Sequence, residues 1–237
     1  MHRLDGIDAG PDEADGMTIT VSARAAGGVS LPRQAALGVA AVAGFLLVRG
    51  AVATDMGAGG RAVGNTRAVE GLGLGTPFAG DGPVGDFLQW VYGYGHWLVA
   101  VAVLVWLARR HPAVYYRVRD AMLLTAAGAL FVFVVFPVVP PGPEPAAFAS
   151  LPSLHAAVDA LLALAIAAAA RRRWVRAAGV GLAAGLAAAV VLTGHHHAVD
   201  VLAGVALAGA AWLFLRARHR PAAALRGYAG WDALDLH

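Results

Sequence analysis

Cysteine and lysine are both absent from this 237-residue chain, and charge of either sign is scarce. Without cysteine, neither a disulfide nor a thiolate metal site can form. Charged residues make up 14% of the chain, where a soluble domain carries about 25%. The space is taken by apolar side chains, at 59% of residues with a mean hydropathy of +0.64. They gather into runs of about 18 to 22 residues, the length that crosses a hydrocarbon core about 30 Å thick. The chain therefore reads as an all-α, polytopic membrane protein. All 18 basic residues are arginine, and the 30 glycines, with abundant alanine, suit close helix packing. The pI near 9.8 follows from arginines flanking apolar runs, so nucleic acid is not an expected partner.

Residues 1–32 carry several aspartates and glycines with no apolar period, and read as a disordered cytoplasmic tail. Residues 33–218 form the membrane domain, and 219–237 a cytoplasmic C-terminal tail. Six spans are expected, at about Gln34–Ala53, Gly85–Leu107, Ala121–Val139, Pro152–Ala170, Val175–Leu192 and His196–Leu215. Residues 54–85 read as a glycine-rich extramembrane loop. Arg109, Arg110, Arg117 and Arg119 follow the second span, Arg171, Arg172 and Arg173 the fourth, and Arg216, Arg218 and Arg220 the sixth. By the positive-inside rule those ends, and both termini, are cytoplasmic. The loops after the third and fifth spans then lie outside the cell membrane's inner face.

Two stretches stand at the heads of apolar runs on that outer side, Leu151-Pro152-Ser153-Leu154-His155 and Thr193-Gly194-His195-His196-His197-Ala198-Val199-Asp200. On a helix, His196 and Asp200 at i,i+4 share one face. A carboxylate there fixes the imidazole tautomer and leaves the other nitrogen free to attack or take a proton. His155 supplies a second imidazole. Such a pairing suits attack on a phosphoryl or acyl centre. The second span opens with Gln89, Tyr92 and His96 on nearly one face, at the same membrane surface. Three adjacent histidines on a helix point about 100° apart and do not readily share one metal, although zinc through His155, His196 and Asp200 is conceivable.

Ser153-Leu154-His155 and His196-x-x-x-Asp200 resemble signature motifs of the type 2 phosphatidic acid phosphatase superfamily. The closer resemblance is to its inositol phosphorylceramide synthase-like branch, with Pro-Ser-Leu-His, then Thr-Gly-Asn-His-Tyr-x-x-Asp, and an Asn-x-x-Tyr-x-x-x-His in the second span. The resemblance covers about residues 85–215. It implies a six-helix bundle acting on a lipid phosphate or phospholipid, as hydrolase or phosphotransferase, with its catalytic residues at one membrane face, which the arginines make the extracytoplasmic one. His196 would form a phosphohistidine, Asp200 orient it, and His155 protonate the leaving alcohol. Ser153 would hold phosphate oxygens beside the helix N-terminus, itself an anion site. Gln89, Tyr92, His96, His195 and His197 complete the expected substrate-binding set. The resemblance calls for no metal and no cofactor.

The family's cationic residues are missing at their expected places: Gly142 stands for an arginine, and Ala189 and Val190 for a serine-arginine pair. His195 replaces the motif's asparagine and His197 its tyrosine. A phosphoryl transition state spreads negative charge over three oxygens and calls for fixed cations. Arg61, Arg67 and protonated His195 and His197 are the candidates on the right side. A non-catalytic lipid-binding or scaffold protein of the same fold is the alternative. A small transporter or metal-handling protein is a third.

Overall fold

A computed structural model describes residues 29–54, 56–72, 82–141 and 149–218. Residues 1–28 and 219–237, which hold most of the expected tails, lie outside the described residues, as does Gly142. The described chain is all-helical, with α1 Leu31–Thr54, α2 Met56–Glu70, α3 Pro83–Arg110, α4 Pro112–Val135, α5 Leu154–Ala169, α6 Arg173–Leu192 and α7 Ala198–Arg218. Among them α1, α3, α4, α6 and α7 are long and apolar enough to cross a membrane, and the chain is a multi-pass membrane protein.

The expected fourth span, α5, has 16 residues. At about 1.5 Å per residue that is about 24 Å, short of a full hydrocarbon core. It is nonetheless the hub of the bundle, packed on α3, α4, α6 and α7. Its Ala156, Ala157, Leu161, Leu162 and Ala165 are buried. Outward-facing Leu47, Phe131, Trp174 and Leu213 are exposed, as lipid-facing side chains are. The helices approach closely through glycine. A Cβ on Gly179 would press on Ile166, and one on Gly128 on Leu207. At Gly204 the neighbour is backbone, the Ser153 carbonyl, which an added Cβ would overlap.

Sequence punctuation sets the turns. Pro112 opens α4 after His111, where its missing N–H costs no helix bond. Gly194, at φ +73°, closes α6 in the left-handed conformation. Residues 54–85, expected as a loop, contain α2 instead. Its composition is a poor helix former, and tertiary contacts hold it: Ala62 and Val69 are buried, and Asn65 Nδ2 donates to the Pro137 carbonyl at 2.9 Å. The Val139 N–H donates to Thr66 Oγ1 at 2.9 Å. Both bonds pin the segment after α4, which pairs with the segment before α5 through a Val138–Ala149 bridge and a 3.2 Å bond from Ser150 N–H to the Val138 carbonyl.

Candidate active site

The return segment carries Ser150 and Ser153 into the protein, where both are fully buried. Ser153 N-caps α5, its Oγ accepting from the Ala156 N–H. Its own N–H donates to the Asp200 carbonyl at 2.9 Å, so the head of α5 is tied directly to α7. That bond, with Gly204 beneath the Ser153 carbonyl, sets His155 opposite the turn that carries His195, His196 and His197.

This turn is not helical: α7 begins at Ala198. The expectation that the three histidines fan out from one helix is therefore corrected. Asp200 accepts at Oδ2 from the His197 N–H at 2.9 Å, a carboxylate reaching back to the residue before its helix. The same oxygen lies 3.3 Å from His197 Nδ1 and 3.5 Å from His196 Nδ1, and it accepts from Ser150 Oγ. The nearer partner of His196 is the Ser150 carbonyl, 3.0 Å from Nδ1. A carbonyl only accepts, so Nδ1 carries the proton and Nε2 keeps its lone pair. Ser150 thus stands between Asp200 and His196, through backbone and hydroxyl.

His155 lies between two ring systems. Its centroid is 6.2 Å from that of His196, 4.9 Å from His96 and 4.8 Å from Tyr92. His96 donates from Nδ1 to Asp159 Oδ1 at 2.9 Å, a pair almost wholly removed from solvent. Tyr92 stacks on His195 at 4.0 Å and 13°, and His195 Nε2 donates to Gln89 Oε1 at 2.9 Å. Tyr92 sits in a π-helical turn, Val91–Gly95, with His96 directly after it. Such turns often mark functional positions in helices.

The structure thus brings Gln89, Tyr92, His96, Ser153, His155, His195, His196, His197 and Asp200 to one end of the bundle. Sequence reasoning passed over Ser150, Asp159 and Arg49. Asp159 and Arg49 are ionisable residues inside apolar runs, a signal of function by default. Ser150, a serine in a loop, gives no such signal. Among the described residues, Asp159 Oδ2 and Asp200 Oδ1 are buried without a hydrogen-bond partner. No three His, Asp or Glu side chains among the described residues gather as they would around one metal ion. Arg61 and Arg67, the cations expected from the first loop, are exposed on α2 and do not line the cavity beside the histidines.

That cavity, about 530 Å³, runs between α1 and the bundle. Tyr92, His96, His155, His195 and His196 line one end. Gln34, Tyr115 and Arg119 lie at the other, where Arg119 Nη1 donates to Gln34 Oε1 at 3.1 Å. Apolar side chains such as Phe45 and Phe133, in edge contact at 6.2 Å, line the length between. The multi-pass bundle thus encloses an apolar space with imidazoles at one end. A family model described as the PAP2 superfamily matches residues 72–214, more than half of the chain, and the chain belongs to that superfamily. No curated protein and no solved structure matches it.

Proposed function

We propose that the protein removes or transfers the phosphoryl group of a lipid phosphate through a phosphohistidine formed on His196. One observation carries this reading: the rings of His155 and His196, their centroids 6.2 Å apart, stand together at the polar end of an apolar cavity. A nucleophile and a proton donor on either side of one phosphoryl group is the arrangement this chemistry needs.

His196 Nε2, its lone pair exposed by the Nδ1–H bond to Ser150, attacks phosphorus. The ester P–O bond breaks as the His155 imidazolium gives its proton to the departing oxygen, and the alcohol leaves. Water, or an alcohol such as inositol, then attacks phosphorus and passes its proton to His155. The P–N bond breaks and His196 regains its lone pair. Asp200 stabilises the positive charge that develops on His196, directly at 3.5 Å and through Ser150. The first N–H groups of α5 receive phosphate oxygens, and Ser153, expected among the phosphate ligands, is buried and caps that helix end instead. Gln89, Tyr92 and His195 form the rim, with His197 held on Asp200, and His96, tied to Asp159, supports His155.

Arg109 and Arg110, Arg171 to Arg173, and Arg216 with Arg218 lie at helix ends remote from the histidines. Their clustering supports cytoplasmic termini and an extracytoplasmic site in the cell membrane, with six crossings if α5 completes one. The Thr193-Gly194 turn and Pro152-Ser153-Leu154-His155 support kinship with the inositol phosphorylceramide synthase-like branch. The test is phosphate release by purified protein from a panel of lipid phosphates. His155→Ala is expected to slow alkyl phosphates far more than an activated aryl phosphate, whose leaving group needs no proton. Equal slowing of both would remove His155 from the role of acid.

A further inference from the structure

We propose that Arg49 of α1 is the phosphate-binding cation of this site, supplied from outside the superfamily-matched residues in place of the arginines missing at positions 142 and 190. The inference rests on the proposed function for the identity of its ligand, a phosphate headgroup on a long apolar chain.

Arg49 belongs to the face of α1 turned toward the bundle. Gln34, Gly38, Ala41, Phe45 and Arg49 all line the cavity, at the spacing of one helical stripe. Its neighbours Leu46, Leu47 and Val48 are exposed apolar residues, while Arg49 itself is half-buried. A guanidinium inside an apolar span is costly unless it meets a partner or serves a site. Among the described residues no carboxylate pairs with it. Among the described residues no Asp or Glu lines the cavity. The ionisable groups that line the histidine end of the same cavity are Tyr92 and the imidazoles of His96, His155, His195 and His196, none of them a carboxylate. In the proposed orientation Arg49 stands at the extracytoplasmic end of α1, where the positive-inside rule gives no reason for an arginine.

Arg119, the other arginine lining the cavity, is held by Asp120 and Gln34 at the far end. Gln34 and Arg49 are separated along α1 by about 22 Å at about 1.5 Å per residue. A phosphate on Arg49 would therefore have an apolar trough of that length for its chain. Guanidinium suits the task, since its planar fork gives two parallel N–H donors to phosphate oxygens.

The experiment measures binding by full-length protein in nanodiscs, with two probes: inorganic phosphate and hexadecylphosphonate, which carries the headgroup on a chain but cannot be hydrolysed. Arg49→Gln is expected to weaken both about 10- to 100-fold, as the loss of a charged hydrogen-bonding partner does. Arg49→Lys should fall between, and Arg33→Gln, at the opposite end of the same helix, should bind as wild type. In turnover, Arg49→Gln should raise KM and lower kcat, because the contact persists into the transition state. Loss of phosphonate binding alone, with inorganic phosphate unaffected, would place Arg49 in the trough and overturn its headgroup role. Wild-type affinity for both probes in a folded Arg49→Gln protein would likewise overturn the inference. If that protein keeps its affinity and wild type still hydrolyses lipid phosphates, the proposed function survives without it. If wild type binds both probes but hydrolyses no lipid phosphate, the proposed function falls while Arg49 is still judged by binding.

Discussion

Gly204→Ala isolates the contact that joins the two halves of the site. The added Cβ would overlap the Ser153 carbonyl, which is backbone and cannot rotate aside. That carbonyl accepts the Ala157 N–H at 3.1 Å, the first helical bond of α5, while the Ser153 N–H holds the Asp200 carbonyl. Relief to an ordinary contact of about 3.5 Å moves α5 and α7 apart by about 1 Å. Overpacking of this kind costs about 1–3 kcal/mol. A misplacement of about 1 Å between reacting groups costs about 100-fold in rate. Gly209→Ala, one helical turn and a residue further along α7, meets nothing within 4 Å and is the matched control. It should lose neither stability nor activity, since alanine is the better helix former by about 1 kcal/mol. Thermal unfolding in detergent and lipid-phosphate turnover read the two effects separately. A Gly204→Ala protein as stable and active as Gly209→Ala would refute the close approach of Ser153 to α7 as the element that sets His155 against His196.

Ser150→Ala keeps the carbonyl that holds His196 but removes the hydroxyl that donates to Asp200. Losing a hydrogen bond to a charged group, at about 1.5–3 kcal/mol, should lower kcat about 10- to 100-fold with KM little changed; an unchanged kcat would show that the Asp200 carboxylate does not need it. Asp159→Ala leaves buried His96 without its partner and should destabilise the fold by about 3–5 kcal/mol, read by unfolding; a neutral result would mean His96 is held elsewhere. A reporter fused after Arg173 should be cytoplasmic and one inserted near Glu144 extracytoplasmic, and the reverse pattern would place the site inside the cell.

The long helices were legible because apolar runs of membrane length leave few other solutions. α2 was not, since glycine-rich Met56–Glu70 has no apolar period and stands through bonds from Asn65 and Thr66 to a distant segment. The histidines, Ser153 and Asp200 were legible as polar residues at the mouths of apolar runs. Their mutual geometry was not. The i,i+4 rule assumed a helix at residues 195–200, whereas Gly194 turns the chain and α7 starts only at Ala198. His197 therefore reaches the same carboxylate as His196, and Ser150 intervenes. Asp159 and Arg49 stand as charges within apolar runs, but only packing sets Asp159 on His96 and Arg49 at the cavity.

The central claim is most directly tested by trapping the intermediate. Purified protein mixed with a lipid phosphate labelled with ³²P, quenched in denaturant within the first turnovers and digested should yield an acid-labile, base-stable label on the peptide containing His196. The label should be absent from His196→Ala, whose turnover should be abolished. Label on another residue, or full turnover by His196→Ala, would contradict the phosphohistidine mechanism.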